Sequence, residues 1–221
     1  VAIFSDNGLE DFGNVSEDAD IFIEGDKSTD EFGHAVVTLG DYDEDGVTDL
    51  AVGSRGHSNL KGRVYVFSGA GVDTTTDPND ADLIITGNNK HQIGQGLASD
   101  TDLNGDGTYD LIMFGTDAYI AYTYLGVQYM SPSESGSVSW SSVDSTWRNK
   151  CGYYYSTSSR GYCGPYINYG ASTGDIGGTD LWYYNAGSGG DIDGDGYHDI
   201  AISEPNNDQT YTNAGATFIL W

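Results

Sequence analysis

Three stretches of the sequence share one nine-residue pattern of acidic residues that could bind a metal ion. They are 41–49 (D-Y-D-E-D-G-V-T-D), 102–110 (D-L-N-G-D-G-T-Y-D) and 191–199 (D-I-D-G-D-G-Y-H-D), called here loops 1, 2 and 3. Each has Asp at position 1, Asp or Asn at 3, Asp at 5, Gly at 6 and Asp at 9. Carboxylates at alternate positions converge on one point when the backbone curls, and the glycine permits the sharp turn. One copy could be a plain acidic turn, but three copies in the same phase indicate a shared chemical role.

Oxygen ligands of this number and flexibility suit Ca²⁺ better than Mg²⁺, and we expect about three Ca²⁺ ions, one in each loop. Side-chain oxygens at positions 1, 3, 5 and 9 and the backbone carbonyl at position 7 would bind them. The expected ligands are Asp41, Asp43, Asp45, Val47 and Asp49 in loop 1, Asp102, Asn104, Asp106, Thr108 and Asp110 in loop 2, and Asp191, Asp193, Asp195, Tyr197 and Asp199 in loop 3. Without a cation the clustered carboxylates repel each other, so the empty loops should be loose.

The same pattern opens an EF-hand loop, which needs Glu at position 12 and a helix on each side. Position 12 is Val52, Met113 and Ile202 in the three loops. The flanks of the loops contain Val, Ile, Thr and Tyr in short runs bounded by Gly and Asp, which is typical of strands. The loops are therefore expected to connect strand to strand, and neither an EF-hand nor a dockerin-like interpretation fits.

The charge balance excludes two classes of partner. The chain of 221 residues carries 34 Asp and Glu against 8 Lys and Arg, a formal net charge of -26. Nucleic acids and anionic membrane surfaces both require a basic footprint, so we expect neither as a partner. No apolar run approaches the roughly 18 residues of a spanning helix, so no membrane insertion is expected. The chain opens at Val1 without a basic and apolar leader, which predicts a mature or trimmed product.

Two cysteines, Cys151 and Cys163, lie in a segment rich in Gly, Tyr and Ser. Two cysteines without a paired histidine do not make a zinc site. A disulfide closing a small loop is the preferred interpretation, and two free thiols are the alternative. A disulfide implies an oxidising compartment, so we expect an extracellular or cell-surface location.

The residues around loop 1 carry a family resemblance. Residues 30–36 read D-E-F-G-H-A-V, residues 37–54 continue as V-T-L-G-D-Y-D-E-D-G-V-T-D-L-A-V-G-S, and 62–69 read G-R-V-Y-V-F-S-G. This resembles the FG-GAP repeat of integrin-α-type β-propellers. The second unit has Gln92-Ile93-Gly94 in place of Phe-Gly, and the third lacks Phe-Gly. The resemblance weakens over 126–175.

The resemblance implies an all-β fold of β-propeller-type blades, each with four antiparallel strands, in an incomplete ring of about three blades. We expect one such array over 1–221, with 126–175 as a Tyr/Ser/Gly-rich insertion that carries the disulfide. The expected strands are Val1–Phe4 and Ala19–Ile23 of a partial blade; His34–Gly40, Asp49–Gly53, Arg63–Phe67 and Leu83–Thr86; Ile93–Ala98, Asp110–Phe114, Tyr119–Tyr124 and Ser137–Ser141; and Leu181–Ala186, Asp199–Ser203 and Ala216–Trp221.

Three functions are compatible with such blades. The leading prediction is a calcium-binding structural or adhesion protein that contacts another protein, or itself head to tail as a ring or filament, because partial blades expose strand edges. The alternative is a carbohydrate- or ligand-binding segment of a longer seven-bladed propeller, with glycans stacked on the tyrosines of the insertion. A hydrolase is disfavoured, since no convergent acid, base and nucleophile are found, and we expect no enzymatic activity.

Overall fold

The computed structural model describes residues 1–3, 19–116, 122–151, 163–169, 172–175, 185–204 and 216–220. Within them the secondary structure is almost entirely β, as expected. The strands are β1 (Ala2–Ile3), β2 (Ile21–Phe22), β3 (Phe32–Gly40), β4 (Asp49–Ser54), β5 (Arg63–Phe67), β6 (Leu83–Thr86), β7 (Gly96–Ala98), β8 (Leu111–Thr116), β9 (Tyr122–Gln128), β10 (Gly136–Ser139), β11 (Ser145–Cys151), β12 (Cys163–Tyr169), β13 (Ser172–Asp175), β14 (Asn185–Gly190), β15 (Asp199–Glu204) and β16 (Ala216–Leu220). Short helical turns occupy His57–Leu60, Gly69–Gly71, Pro78–Asp80 and Trp140–Ser142.

The strands form three main sheets and a short two-stranded pair. The first sheet has the order β10-β6-β5-β4-β3, the second β13-β12-β11-β9-β8-β7 and the third β14-β15-β16, while β1 pairs with β2. Strands β3 to β6 are consecutive and antiparallel, which confirms the four-stranded blade expected around loop 1.

One predicted strand belongs to a different sheet. Residues 137–141 were expected to complete the second blade, but β10 pairs in parallel with β6 of the first sheet. The neighbouring Trp140 is buried and packs over Gly126 of β9, where a Cβ would lie 2.7 Å from the tryptophan Cη2. This packing draws the segment across the junction between the two sheets. The strand that pairs with the free side of β9 is β11 instead.

The last three described strands of the 126–175 segment, β11 to β13, extend the second sheet outward from β9. Strand β12 pairs antiparallel with β11, and β13 pairs antiparallel with β12. The assignment of this segment as an insertion stays a prediction.

The three sheets stack face to face because alternate residues of each strand point to opposite faces. On β4, Ala51 faces the second sheet, in a cluster with Leu111 and Met113 of β8. On β8, Ile112 points the other way, in a cluster with Ile200 of the third sheet. Each sheet of this open stack therefore buries apolar residues against its neighbour.

Strand β7 lies against both β3 and β14, so these three strands are the neighbouring inner strands of successive sheets. The backbones approach closely here: a Cβ on Gly53 would lie 2.1 Å from the carbonyl oxygen of Gly94. Each inner strand leads into one of the acidic loops, which connects it to the next strand, β4, β8 or β15. All three loops therefore lie at the same end of the stack.

Candidate metal centre

The sharp turn in each loop occurs at the glycine in position 6. Gly46, Gly107 and Gly196 have φ values of 91°, 94° and 97°. A Cβ at any of the three would meet nothing within 4 Å, so backbone conformation, and not space, requires glycine.

The carboxylates of each loop point into the turn. The position 1 carboxylate accepts a hydrogen bond from the position 6 N–H, at 3.0 Å in Asp41, 2.8 Å in Asp102 and 3.0 Å in Asp191. Position 3 accepts from the position 5 N–H, and position 5 accepts from the position 7 N–H, in all three loops. The loops therefore share one internal geometry, although loop 2 has Asn at position 3.

The position 9 aspartate is the buried carboxylate of each loop. Asp49, Asp110 and Asp199 are 0%, 0% and 1% exposed. Each accepts a hydrogen bond of 2.7 Å from the N–H of position 2. The second oxygen of Asp49 accepts from Gly69, and that of Asp110 accepts from Met130. Position 9 thus links the start of the loop to the strand that follows it. In loops 1 and 2 it also bonds the residues that come after β5 and β9, respectively.

Burial makes the carboxyl groups of Asp49 and Asp110 harder to ionise in the absence of a cation. Burial raises the pKa of Asp110 to about 6, and the charges of Asp106 and Asp102 add to the rise against the lowering effect of two backbone hydrogen bonds. Burial likewise raises the pKa of Asp49. A divalent cation in the loop would reverse this effect by favouring the ionised form.

The carboxylate oxygens of two loops lie close enough together to share one cation. In loop 1, Asp41, Asp43 and Asp45 each offer an oxygen within 4.8 Å of the others, and in loop 3 Asp191, Asp193 and Asp199 do the same. With Ca–O distances of about 2.4 Å, two ligands on opposite sides of one ion lie about 4.8 Å apart. The donor set therefore matches a hard cation in both loops.

The remaining expected ligands are placed as follows. Asp49 and Asp195 belong to their loops but not to these three-carboxylate groups. In loop 2, the Nδ2 of Asn104 donates to Asp106 at 2.9 Å, so these two side chains face each other across the turn. The carbonyls of Val47, Thr108 and Tyr197 stay predicted ligands.

One contact to loop 1 was missed from the sequence. The hydroxyl of Ser68 donates to Asp45 at 3.0 Å, and the N–H of Ser68 donates to Asp82 at 2.7 Å. Ser68 follows β5 and precedes Gly69, which bonds Asp49. A Ser-Gly pair after a strand is too common to indicate this role.

A histidine–aspartate pair lies away from the loops, in the turn between β4 and β5. His57 Nδ1 lies 2.7 Å from Asp30 Oδ2, and both side chains are largely buried. The nearby Ser54 hydroxyl donates to the backbone carbonyl of Asp30. This arrangement holds the turn against the segment before β3.

The cysteines lie opposite each other in the sheet. Cys151 ends β11, Cys163 begins β12, and the antiparallel register pairs them directly. Opposed residues of antiparallel strands have Cα atoms about 4.5–5.5 Å apart, within the range that a disulfide spans. The disulfide itself stays a prediction. The side chains of the tyrosines between 153 and 169 lie outside the described residues, so glycan binding there also stays a prediction.

Two stretches of the chain match a known family. The FG-GAP repeat matches residues 32–67 and 183–220, which contain loops 1 and 3. Loop 2 lies outside both stretches and nevertheless has the same internal hydrogen bonds.

Among curated proteins, the chain is similar to integrin alpha subunits. It is 35% identical to integrin alpha-D of Homo sapiens over 36% of this chain and 7% of that protein. It is 31% identical to integrin alpha-5 of Xenopus laevis over 47% of this chain and 10% of that protein. It is 34% identical to integrin alpha-PS5 of Drosophila melanogaster over 42% of this chain and 10% of that protein. Each match thus spans a tenth of the relative or less. Residues 32–67 and 183–220 are FG-GAP repeats, and the stacked sheets that contain them are β-propeller blades.

Proposed function

We propose that this chain is a calcium-stabilised segment of β-propeller blades that mediates protein–protein contact, without enzymatic activity, in an extracellular or cell-surface protein. The observation that carries the calcium role is the repetition of one loop geometry at the same end of three sheets. In each loop the side-chain oxygens at positions 1, 3 and 5 accept hydrogen bonds from N–H groups of the same turn, and a buried aspartate closes it.

The ion would act as a cross-link. Bound Ca²⁺ supplies positive charge and coordination, while the chain's own carboxylates hold the ion and close the loop. Three ions would change the formal charge from -26 to -20, from 3 × 2 positive charges. This relieves repulsion within each loop and joins its inner strand to the next strand.

The outer face of the third sheet supports a protein contact. Position 2 of loop 1, Tyr42, is 2% exposed and packs between the first and second sheets. The equivalent Leu103 packs between the second and third sheets. Ile192 in loop 3 is 47% exposed, and Ile219 of β16 is also exposed. A further blade would cover these residues, whether it belongs to a longer propeller, to a partner protein or to a second copy in head-to-tail assembly.

The location outside the cytoplasm is proposed from the predicted disulfide. Among the described residues, no helix has the length and apolar character needed to cross a membrane.

Calcium titration of chelator-treated protein tests the calcium role. We expect binding of Ca²⁺ and a rise in Tm, with about 2.7 kcal/mol of stabilisation per site at a hundredfold excess over Kd. Mg²⁺ at equal concentration serves as the control. An identical melting curve in Ca²⁺ and in EDTA would refute the proposal.

Sedimentation in calcium and salt tests the contact. A larger species that is lost in Ile192→Asp, but retained in the equally exposed Val36→Asp of β3, supports self-assembly through the third sheet. A monomer under all conditions refutes self-assembly, and the exposed face of the third sheet would then contact a different protein or a further blade of a longer propeller.

A further inference from the structure

Loops 2 and 3 are joined by two hydrogen bonds between residues 96 positions apart. The N–H of Asp102 donates to Nδ1 of His198 at 3.2 Å, and the N–H of His198 donates to the carbonyl of Asp102 at 3.3 Å. Since Nδ1 accepts, the neutral imidazole carries its hydrogen on Nε2. Asp102 is position 1 of loop 2, and His198 is position 8 of loop 3, between two expected ligands.

The same two loops are also packed together. A Cβ on Gly105 of loop 2 would lie 2.7 Å from Cε1 of Tyr197, so the tyrosine ring rests directly on the loop 2 backbone. Gly105 stands between Asn104 and Asp106, two expected ligands. The junction therefore contacts loop 2 at its first ligand and at its centre.

The junction between loops 1 and 2 is different. The ring of Tyr109 in loop 2 lies against Gly40, just before loop 1, where a Cβ would be 3.0 Å from the ring. Within the described part of the chain, no hydrogen bond links loop 1 to loop 2. The protein thus offers a matched comparison between a hydrogen-bonded junction and a packed one.

We propose that loops 2 and 3 bind Ca²⁺ cooperatively, with His198 and Tyr197 as positioning residues for the site in loop 2. This rests on the calcium binding proposed above. An ion in loop 3 orders that loop and fixes His198 where Asp102 needs its partner. Calcium binding to loop 2 then requires less loss of conformational entropy, so the affinity of loop 2 for Ca²⁺ increases. By thermodynamic linkage, an ion in loop 2 increases the affinity of loop 3 by the same factor.

Hydrogen exchange measured by mass spectrometry on the full chain reads each loop separately. The readout is the Ca²⁺ concentration that gives half-maximal protection of the peptide containing loop 2. Calcium binding to loop 3 is removed by the double substitution Asp191→Asn with Asp193→Asn, called here silencing of the loop. Loop 1 is silenced by the matched pair Asp41→Asn with Asp43→Asn. Silencing loop 3 should raise the loop 2 midpoint about 5-fold, whereas silencing loop 1 should leave it nearly unchanged.

The role of His198 is tested by two substitutions. His198→Phe keeps a ring but removes the acceptor, so it should raise the loop 2 midpoint and reduce the further effect of removing calcium binding from loop 3 to well below 5-fold, with the backbone bond and the Tyr197 contact retained. His198→Asn places an amide oxygen near the position of Nδ1 and should restore the wild-type midpoint. The reciprocal experiment, with Asp102→Asn and Asp106→Asn, should shift the loop 3 midpoint by the same factor as loop 3 shifts loop 2.

The outcomes separate the two proposals. If Ca²⁺ protects each loop but the loop 2 midpoint does not change when loop 3 is silenced, the coupling is refuted and the calcium role stands. Equal effects from silencing loops 1 and 3, or unchanged coupling in His198→Phe, also refute it. If no loop gains protection at any calcium concentration, the calcium role fails and the coupling fails with it.

Discussion

Replacing Asp49 with asparagine should weaken the protein even when no calcium is present. The carboxylate is 0% exposed and accepts two backbone hydrogen bonds, from Tyr42 at 2.7 Å and Gly69 at 2.8 Å. Asparagine has one oxygen, so one of these buried N–H groups would face an amide NH₂. An unsatisfied buried donor costs about 1–3 kcal/mol.

Burial raises the pKa of Asp49, because removing the ionised carboxylate from water costs free energy. Asparagine carries no charge and avoids this cost, which offsets part of the loss. We therefore expect a net loss of about 1–2 kcal/mol in EDTA, which corresponds to roughly 2–8 °C in Tm for a chain of this size.

Asp43→Asn is the matched control in the same loop. Asp43 is half-buried and accepts one bond, from the N–H of Asp45, through a single oxygen that asparagine retains. Loop 2 already uses Asn104 in this position for the same bond. In EDTA the Tm of Asp43→Asn should stay at the wild-type value, within about 0.5 kcal/mol of stability.

In calcium the control should show its own defect. Loss of one carboxylate ligand that weakens Kd tenfold removes about 1.4 kcal/mol of the calcium stabilisation. The assay is thermal unfolding of both variants and wild type, in EDTA and in excess Ca²⁺. A wild-type Tm for Asp49→Asn in EDTA, or an equal loss in Asp43→Asn, would show that the buried hydrogen bonds do not stabilise the loop as argued.

Three further predictions follow from the loops and the cysteines. Gly107→Ala should cost about 1–2 kcal/mol in denaturant unfolding, because its φ of 94° disfavours an L-residue, whereas Gly71→Ala, with open space and no such φ, should be nearly neutral. Equal effects would contradict the strain argument. Cys151 and Cys163 should resist alkylation under non-reducing conditions, and their bond should contribute on the order of 3 kcal/mol at most; two alkylated thiols in mass spectrometry would disprove it. The pKa of Asp110 is about 6 in the folded protein and near 3.8 in the unfolded chain, so the folded state binds the proton more tightly. In EDTA, the free energy of unfolding of the wild type, relative to that of Asp110→Asn, should therefore decrease as the pH rises from about 4 to about 6. Excess Ca²⁺ should reverse this trend, and a wild-type advantage that grows with pH in EDTA would contradict the sign.

Local patterns in the sequence were sufficient for the loops and for the strands beside them. Arg63–Phe67 and Leu83–Thr86 coincide with β5 and β6, because apolar runs bounded by turn residues define a strand without reference to the rest of the chain. The turn in each loop is equally local, since a glycine at position 6 and carboxylates two residues apart bond their own backbone.

Pairing between distant segments required the tertiary structure. A strand was predicted over 137–141, and the structure has β10 over Gly136–Ser139, but this strand joins the first sheet and not the second. Sheet edges present the same backbone donors and acceptors, so a short strand can pair with either edge. The burial of Trp140 over Gly126 decides between them, and nothing local in the sequence indicates that contact.

The same distinction applies within the metal centre. The sequence by itself determined which residues have oxygen atoms suited to calcium and how they alternate around each turn. Only the tertiary structure decided that position 9 is buried and that Asp49 and Asp110 accept from Gly69 and Met130. It also placed His198 against Asp102, because stacking the sheets brings their connecting loops to one end and makes neighbours of residues 96 positions apart.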